Sequence, residues 1–172
     1  MEVVFYITSV VAVLATMLAV TRRNPIHALL YLIVSLLAVA VIFFILGAPF
    51  VAALEVIIYA GAIMVFFVFV IMLLNLGEVP PRRGARWMVP EMWAGPAFLS
   101  LVLGGELLYI LFHPTGLAGG AEEVLPKAVG IALYGPYVLG VELGSMLLLA
   151  GLVGAYHLGR REDVPEKRGG PG

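Results

Sequence analysis

Five long apolar runs, cut by short polar breaks, make up most of the chain. They cover roughly residues 2–20, 26–46, 50–76, 92–112 and 137–158. An α-helix rises 1.5 Å per residue, so about 20 mostly apolar residues cross a hydrocarbon core of about 30 Å. Each run is long enough. The pattern predicts an all-α, multi-pass membrane protein, with five transmembrane helices in one domain over 1–160 and a charged tail over 161–172. The first run is similar to a secretory leader, but no basic segment precedes it and no small-residue cleavage site is clear. It reads as a retained first span.

The breaks carry their own signals. Asn24-Pro25 offers a capping side chain followed by a residue that needs no hydrogen-bond donor in the first helical turn. Gly47-Ala48-Pro49 is a minimal turn, which predicts that the second and third spans are antiparallel neighbours. Asn75 and Gly77 end the third run, and Pro80-Pro81 forbids its continuation. The segment from His113 to Pro136 is the longest connection, Gly-rich, with Glu122, Glu123 and Lys127 expected in solvent.

Composition agrees with lipid as the solvent. The 172 residues are 62% hydrophobic and 12% charged, more apolar surface than one soluble core of this size can hide. Basic residues then set orientation. Arg22, Arg23, Arg82, Arg83, Arg86, Arg160, Arg161, Lys167 and Arg168 all fall on one side of a five-span serpentine, leaving only Lys127 on the other. The positive-inside rule predicts the N-terminus outside and the C-terminus in the cytoplasm.

There is no cysteine, so no disulfide and no thiolate ligand for zinc or iron–sulfur clusters. His27, His113 and His157 are not paired with another ligand at helical spacing. No phosphate-binding glycine loop and no serine elbow occur. The reading is a chain without redox or covalent chemistry of its own.

Glu55, Glu106 and Glu142 are the acids inside the runs. A charge near mid-bilayer costs a few kcal/mol, so each must be protonated, paired, or turned toward protein and water. Counting from the run ends places all three about 8–9 Å below the outer boundary. They form either a proton-bearing layer or a set of helix-end acids reaching the interface. The third run is peculiar: from Phe50 to Leu76 it would measure about 40 Å as a straight helix, so it must tilt, bend or rewind. Glu55 and Tyr59 share a helix face, and Gly61 lets a neighbour or water approach the backbone. A wide-turn insertion here would mark a functional position, whereas Ala60 and Gly61 also suit plain close packing. In the fifth run, Gly140 and Gly144, then Gly151, Ala155 and Gly159, recur four apart and favour helix–helix contact.

The pieces NPIHALLYLIVSLLAVA, YAGAIMVFFVFVIMLLN and VELGSMLLLAGLVGA, in this order, resemble the J-type membrane subunit of bacterial respiratory complex I, the counterpart of mitochondrial NADH dehydrogenase subunit 6. The resemblance covers four of the five spans. It implies a non-redox subunit in the membrane arm of a proton-pumping NADH:quinone oxidoreductase of the inner membrane. Its partners would be the small K-type, the A-type, the quinone-site H-type and the antiporter-like subunits, within lipid and without nucleic acid. FMN, iron–sulfur clusters and quinone would sit in those other subunits and no cofactor on this one. The third helix would be π-bulged near Tyr59–Val65 and would switch to a regular form, gating a water path. The motif carries Tyr59, Gly61 and Val65 to the bulge, Phe67 to the rotating part and Glu142 to the acid of Glu-Leu-x-Ser. Glu55 stands where the resemblance leads one to expect a polar residue, often glutamine, and Pro136 where the family often has an acid. Two other roles fit the same spans: an assembly scaffold in the same complex, or a subunit of a cation/proton antiporter complex.

Overall fold

The computed structural model describes residues 2–74, 90–112 and 123–160. The expected stops Asn75, Gly77, Pro80 and Pro81, the Arg82–Arg86 cluster, residues 113–122 and the tail 161–172 lie outside them. In chain order the helices are α1 (Glu2–Thr21), α2 (Pro25–Ile45), α3 (Pro49–Leu54), a π-helical segment (Glu55–Ile63), α4 (Met64–Leu74), α5 (Pro90–Phe112), α6 (Pro126–Tyr134) and α7 (Val138–Gly159). Five stretches are long and apolar enough to cross a membrane: Glu2–Thr21, Pro25–Ile45, Pro49–Leu74, Trp93–Phe112 and Val138–Gly159. The protein is all-α and multi-pass.

Local chemistry accounts for the helix ends. The Asn24 side chain accepts from the Ile26 N–H at 3.0 Å, and Pro25 opens α2. At the other end Gly47 adopts φ 86°, a left-handed conformation that costs a residue with a Cβ about 1–2 kcal/mol. Its N–H donates to the Phe44 carbonyl at 3.1 Å, and the Ala48 N–H donates to the Phe43 carbonyl at 2.9 Å. This pair of bonds closes the helix as a Schellman turn, and Pro49 starts α3 at once. Gly47→Val should therefore lower the unfolding temperature of the detergent-solubilised protein, whereas Asn24→Ser should leave it close to the parent. The Val124 N–H also donates to the Gly47 carbonyl at 2.8 Å, tying the chain after α5 to this turn.

The helices form two compact units, Met1–Leu125 and Pro126–Gly172. In the first, α1 lies antiparallel along α2: Thr16 and Ser35 share a hydrogen bond at 2.7 Å near one end, while Val4 packs with Val41 and Ile45 near the other. Helix α5 crosses back along α1, with Leu99 and Leu103 against Val11, Ala12 and Ala15, and Ile110 against Val4. Small residues let the backbones approach, as Ala15 and Ala38 with no exposed surface show. The second unit is α6 and α7 joined through Gly135–Tyr137, and neither helix buries a residue. Helix α6 lies within the connection 113–136: Pro126 starts it as a good first-turn residue, and its nine residues are too few to register as a span. Within the second unit, a Cβ at Gly140, Gly144, Gly151 or Gly159 would meet no atom of the described residues within 4 Å.

Candidate functional site

The third membrane-length helix is α-helical at both ends and π-helical between them. The wide turns run over nine residues, Glu55–Ile63, with sequence EVIIYAGAI. A π turn takes in an extra residue, and each such residue rotates everything after it by about 100° relative to a continuous α-helix. Glu55 opens the segment and is partly buried, and Tyr59 is half exposed near its middle. Gly61 lies above the carbonyl oxygen of Val56, five residues earlier, where a Cβ would come within 3.1 Å of it. The Met64 N–H then reaches the carbonyls of both Tyr59 and Gly61, the transition from wide to regular turns. Regular helix resumes at Met64, which is buried.

Val65 and Phe67 thus lie beyond the rewound turns, in α4, and both side chains are largely exposed. Phe67 meets Phe66 edge to face, with ring centroids 6.2 Å apart. Between Ala52 and Met64 no residue of this helix is fully buried: Glu55, Ala60, Gly61 and Ile63 are partly covered, while Val56, Ile57, Ile58, Tyr59 and Ala62 are exposed. Glu142 belongs to the second unit, on α7, and is exposed there. The hydroxyl of Ser145, the serine of Glu-Leu-x-Ser, donates to the Glu142 carbonyl at 2.7 Å, so it serves the α7 backbone rather than the carboxylate.

Glu55, Tyr59 and Gly61 thus share one stretch of wide turns. Among the described residues no three His, Asp or Glu side chains gather in reach of one metal ion. Residues 15–158, from α1 through the rewound helix to α7, match the family described as NADH-ubiquinone/plastoquinone oxidoreductase chain 6. The chain belongs to that family. It is 59% identical over 163 residues to NADH-quinone oxidoreductase subunit J of Pseudomonas aeruginosa, covering 94% of this chain and 98% of the relative. It is 52% identical over 166 residues to the subunit of the same name from Escherichia coli, covering 96% and 90%. A Buchnera aphidicola subunit J is 48% identical over 162 residues. Membership of the chain 6 family covers all five membrane-length stretches at least in part, including the one around α5 that carried no motif.

Reading the residues in order missed two features of the first unit. Glu106 of α5 is joined to Thr8 of α1. Tyr31 of α2 is buried against Gly95 of α5 so closely that a Cβ there would overlap its hydroxyl. A glycine beside Pro96 was the available signal for the second, since a residue before proline that carries a Cβ is pushed away from helix.

Proposed function

We propose that this chain is a gating subunit in the membrane arm of a bacterial proton-pumping NADH:quinone oxidoreductase, set in the inner membrane with its C-terminus in the cytoplasm. The observation that carries this reading is the nine-residue π segment Glu55–Ile63 inside a helix of membrane length. In lipid a helix must satisfy its own backbone, and irregular backbone persists only where protein or water covers it. The exposed face of the segment is accordingly the face for a neighbour: the small K-type, A-type, H-type or antiporter-like subunits. Returning the wide turns to regular ones would rotate α4 and its Val65 and Phe67 relative to α3. That rotation exchanges a bulky apolar side chain for a polar gap near Tyr59, and a gap holding a few waters passes protons while a dry one blocks them. Quinone chemistry in another subunit need only bias two arrangements a few kcal/mol apart. FMN, iron–sulfur clusters and quinone belong to the other subunits, and this chain supplies no redox step.

An assembly scaffold is the competing role. Tyr59→Phe and Glu142→Gln keep side-chain shape and volume while removing a hydroxyl and a titratable group, so a scaffold tolerates both. In the assembled complex, with subunit composition checked by native mass spectrometry, each is expected to cut proton translocation several-fold. Translocation at the parent rate in both variants would leave the scaffold role standing instead. Flavin and iron–sulfur signals in the purified complex separate the oxidoreductase from a cation/proton antiporter.

A further inference from the structure

The seam between α1 and α5 contains one polar pair between two apolar clusters. Thr8 Oγ1 lies 2.8 Å from Glu106 Oε2, and Thr8 has no exposed surface. Toward one end Val4 and Ile110 close the seam together with Val41 and Ile45. Toward the other it is closed by Val11, Ala12, Leu99 and Leu103. The second carboxyl oxygen, Glu106 Oε1, is buried and has no hydrogen-bond partner among the described residues. Thr8 Oγ1 is also 2.8 Å from the carbonyl oxygen of Val4.

Hydrogen counting decides what this arrangement holds. A threonine hydroxyl has one hydrogen to give, a backbone carbonyl can only accept, and an ionised carboxylate can only accept. With Glu106 ionised, one hydrogen would face two acceptors. The charge would keep a single donor at most, with Oε1 bare in an apolar seam. With Glu106 neutral, its own O–H fills the contact to Thr8, Thr8 gives its hydrogen to Val4, and the bare atom is an uncharged carbonyl oxygen. An unpaired neutral acceptor costs far less to bury than an unpaired charge. Among the described residues no ion pair or hydrogen bond joins a cation to the acid. On α1 the other titratable groups, Glu2 and Tyr6, are exposed, and Tyr109 of α5 is half exposed. On α2 the nearest are Tyr31 and His27, and His27 lies about 20 Å along the helix from Val41.

We propose that Glu106 is a proton-binding site: a neutral carboxylic acid that donates to Thr8 Oγ1, which in turn donates to the Val4 carbonyl. Release requires a water molecule to take the proton from the carboxyl group; Thr8 then turns its hydrogen from the Val4 carbonyl to Oε2, and that carbonyl keeps its place in the α1 ladder. The seam therefore has two hydrogen-bond arrangements, one for each occupancy of the acid. The site shares no residue with the rewound helix, so it stands or falls independently of gating by Glu55–Ile63.

The test is infrared spectroscopy of the assembled complex, comparing the parent with E106Q. The difference spectrum should lose one carbonyl stretch of a protonated carboxylic acid, and that band should move to lower frequency in heavy water. T8V retains the acid and removes its partner, so the same band should shift to higher frequency, while T8S should leave it in place. Loss of a carboxylate stretch in E106Q, or no difference in either region, overturns the proposal. So does a band that T8V does not move, a result that holds even if E106Q assembles poorly.

Discussion

Gly61→Val is expected to lower proton translocation by the assembled complex about tenfold. The cause is local. A Cβ at position 61 meets the Val56 carbonyl oxygen at 3.1 Å, closer than side chains ordinarily come to backbone. Alanine there requires the turn to give by a few tenths of an ångström. Valine adds a branched side chain with few rotamers in a helix, so the same give no longer suffices. The close carbonyl is the one five residues back, an offset that belongs to the wide turns. The substitution therefore favours the regular helix, and a bias of about 1.4 kcal/mol shifts a two-state ratio tenfold. NADH oxidation by a water-soluble acceptor should be unchanged, which distinguishes a stalled gate from a complex that lacks its peripheral subunits. Gly61→Ala should fall between parent and valine. Parent-level translocation in the valine variant, with native subunit composition, would remove Gly61 from any gating role.

The five spans were legible because lipid imposes a single requirement, apolar length, that a sequence displays directly. Asn24-Pro25 and Gly47-Ala48-Pro49 were legible for a similar reason: one side chain or one conformation determines each end. The extent of the π segment was less so. The resemblance points to Tyr59–Val65, whereas the wide turns begin at Glu55 and end at Ile63. Residue period does not register one wide turn, because Ile57, Ile58, Ile63 and Val65 are apolar on every face. Excess length and a glycine mark that something must give, and backbone hydrogen bonding decides where. The Thr8–Glu106 pair was hidden for another reason. A threonine in an apolar helix normally gives its hydrogen to the carbonyl four residues back, and Thr8, Ser9, Thr16 and Thr21 all have such a contact. Only the register of α5 on α1 singles out Thr8. Of the residues assigned to the gate, Glu55, Tyr59 and Gly61 share the rewound turns, Val65 and Phe67 follow them, and Glu142 sits on α7 of the second unit.

Gly95→Val should cost the first unit about 3 kcal/mol. Tyr31 is 5% exposed and fills the space among α1, α2 and α5 together with Val11, Ala15, Val34 and Leu99. The guanidinium of Arg22, at the end of α1, lies 5.4 Å from the centre of its ring, a cation–π contact that ties the α1–α2 loop to the same spot. A Cβ at Gly95 overlaps the Tyr31 hydroxyl, so the ring must leave or α5 must retreat. Either movement opens a void in a packed seam, and overpacking with displacement costs about 1–3 kcal/mol before the lost contact with Arg22 is counted. A second penalty acts in α5 itself, because Pro96 disfavours helical backbone for a preceding residue that carries a Cβ. The two contributions separate in a double-mutant cycle. Tyr31→Phe removes the atom that collides first while keeping the ring, so Gly95→Ala should be less damaging in that background than in the parent. Thermal unfolding of the solubilised complex measures the difference. Additivity within about 0.5 kcal/mol would mean that the two positions do not meet, and the penalty would then belong to Pro96 alone.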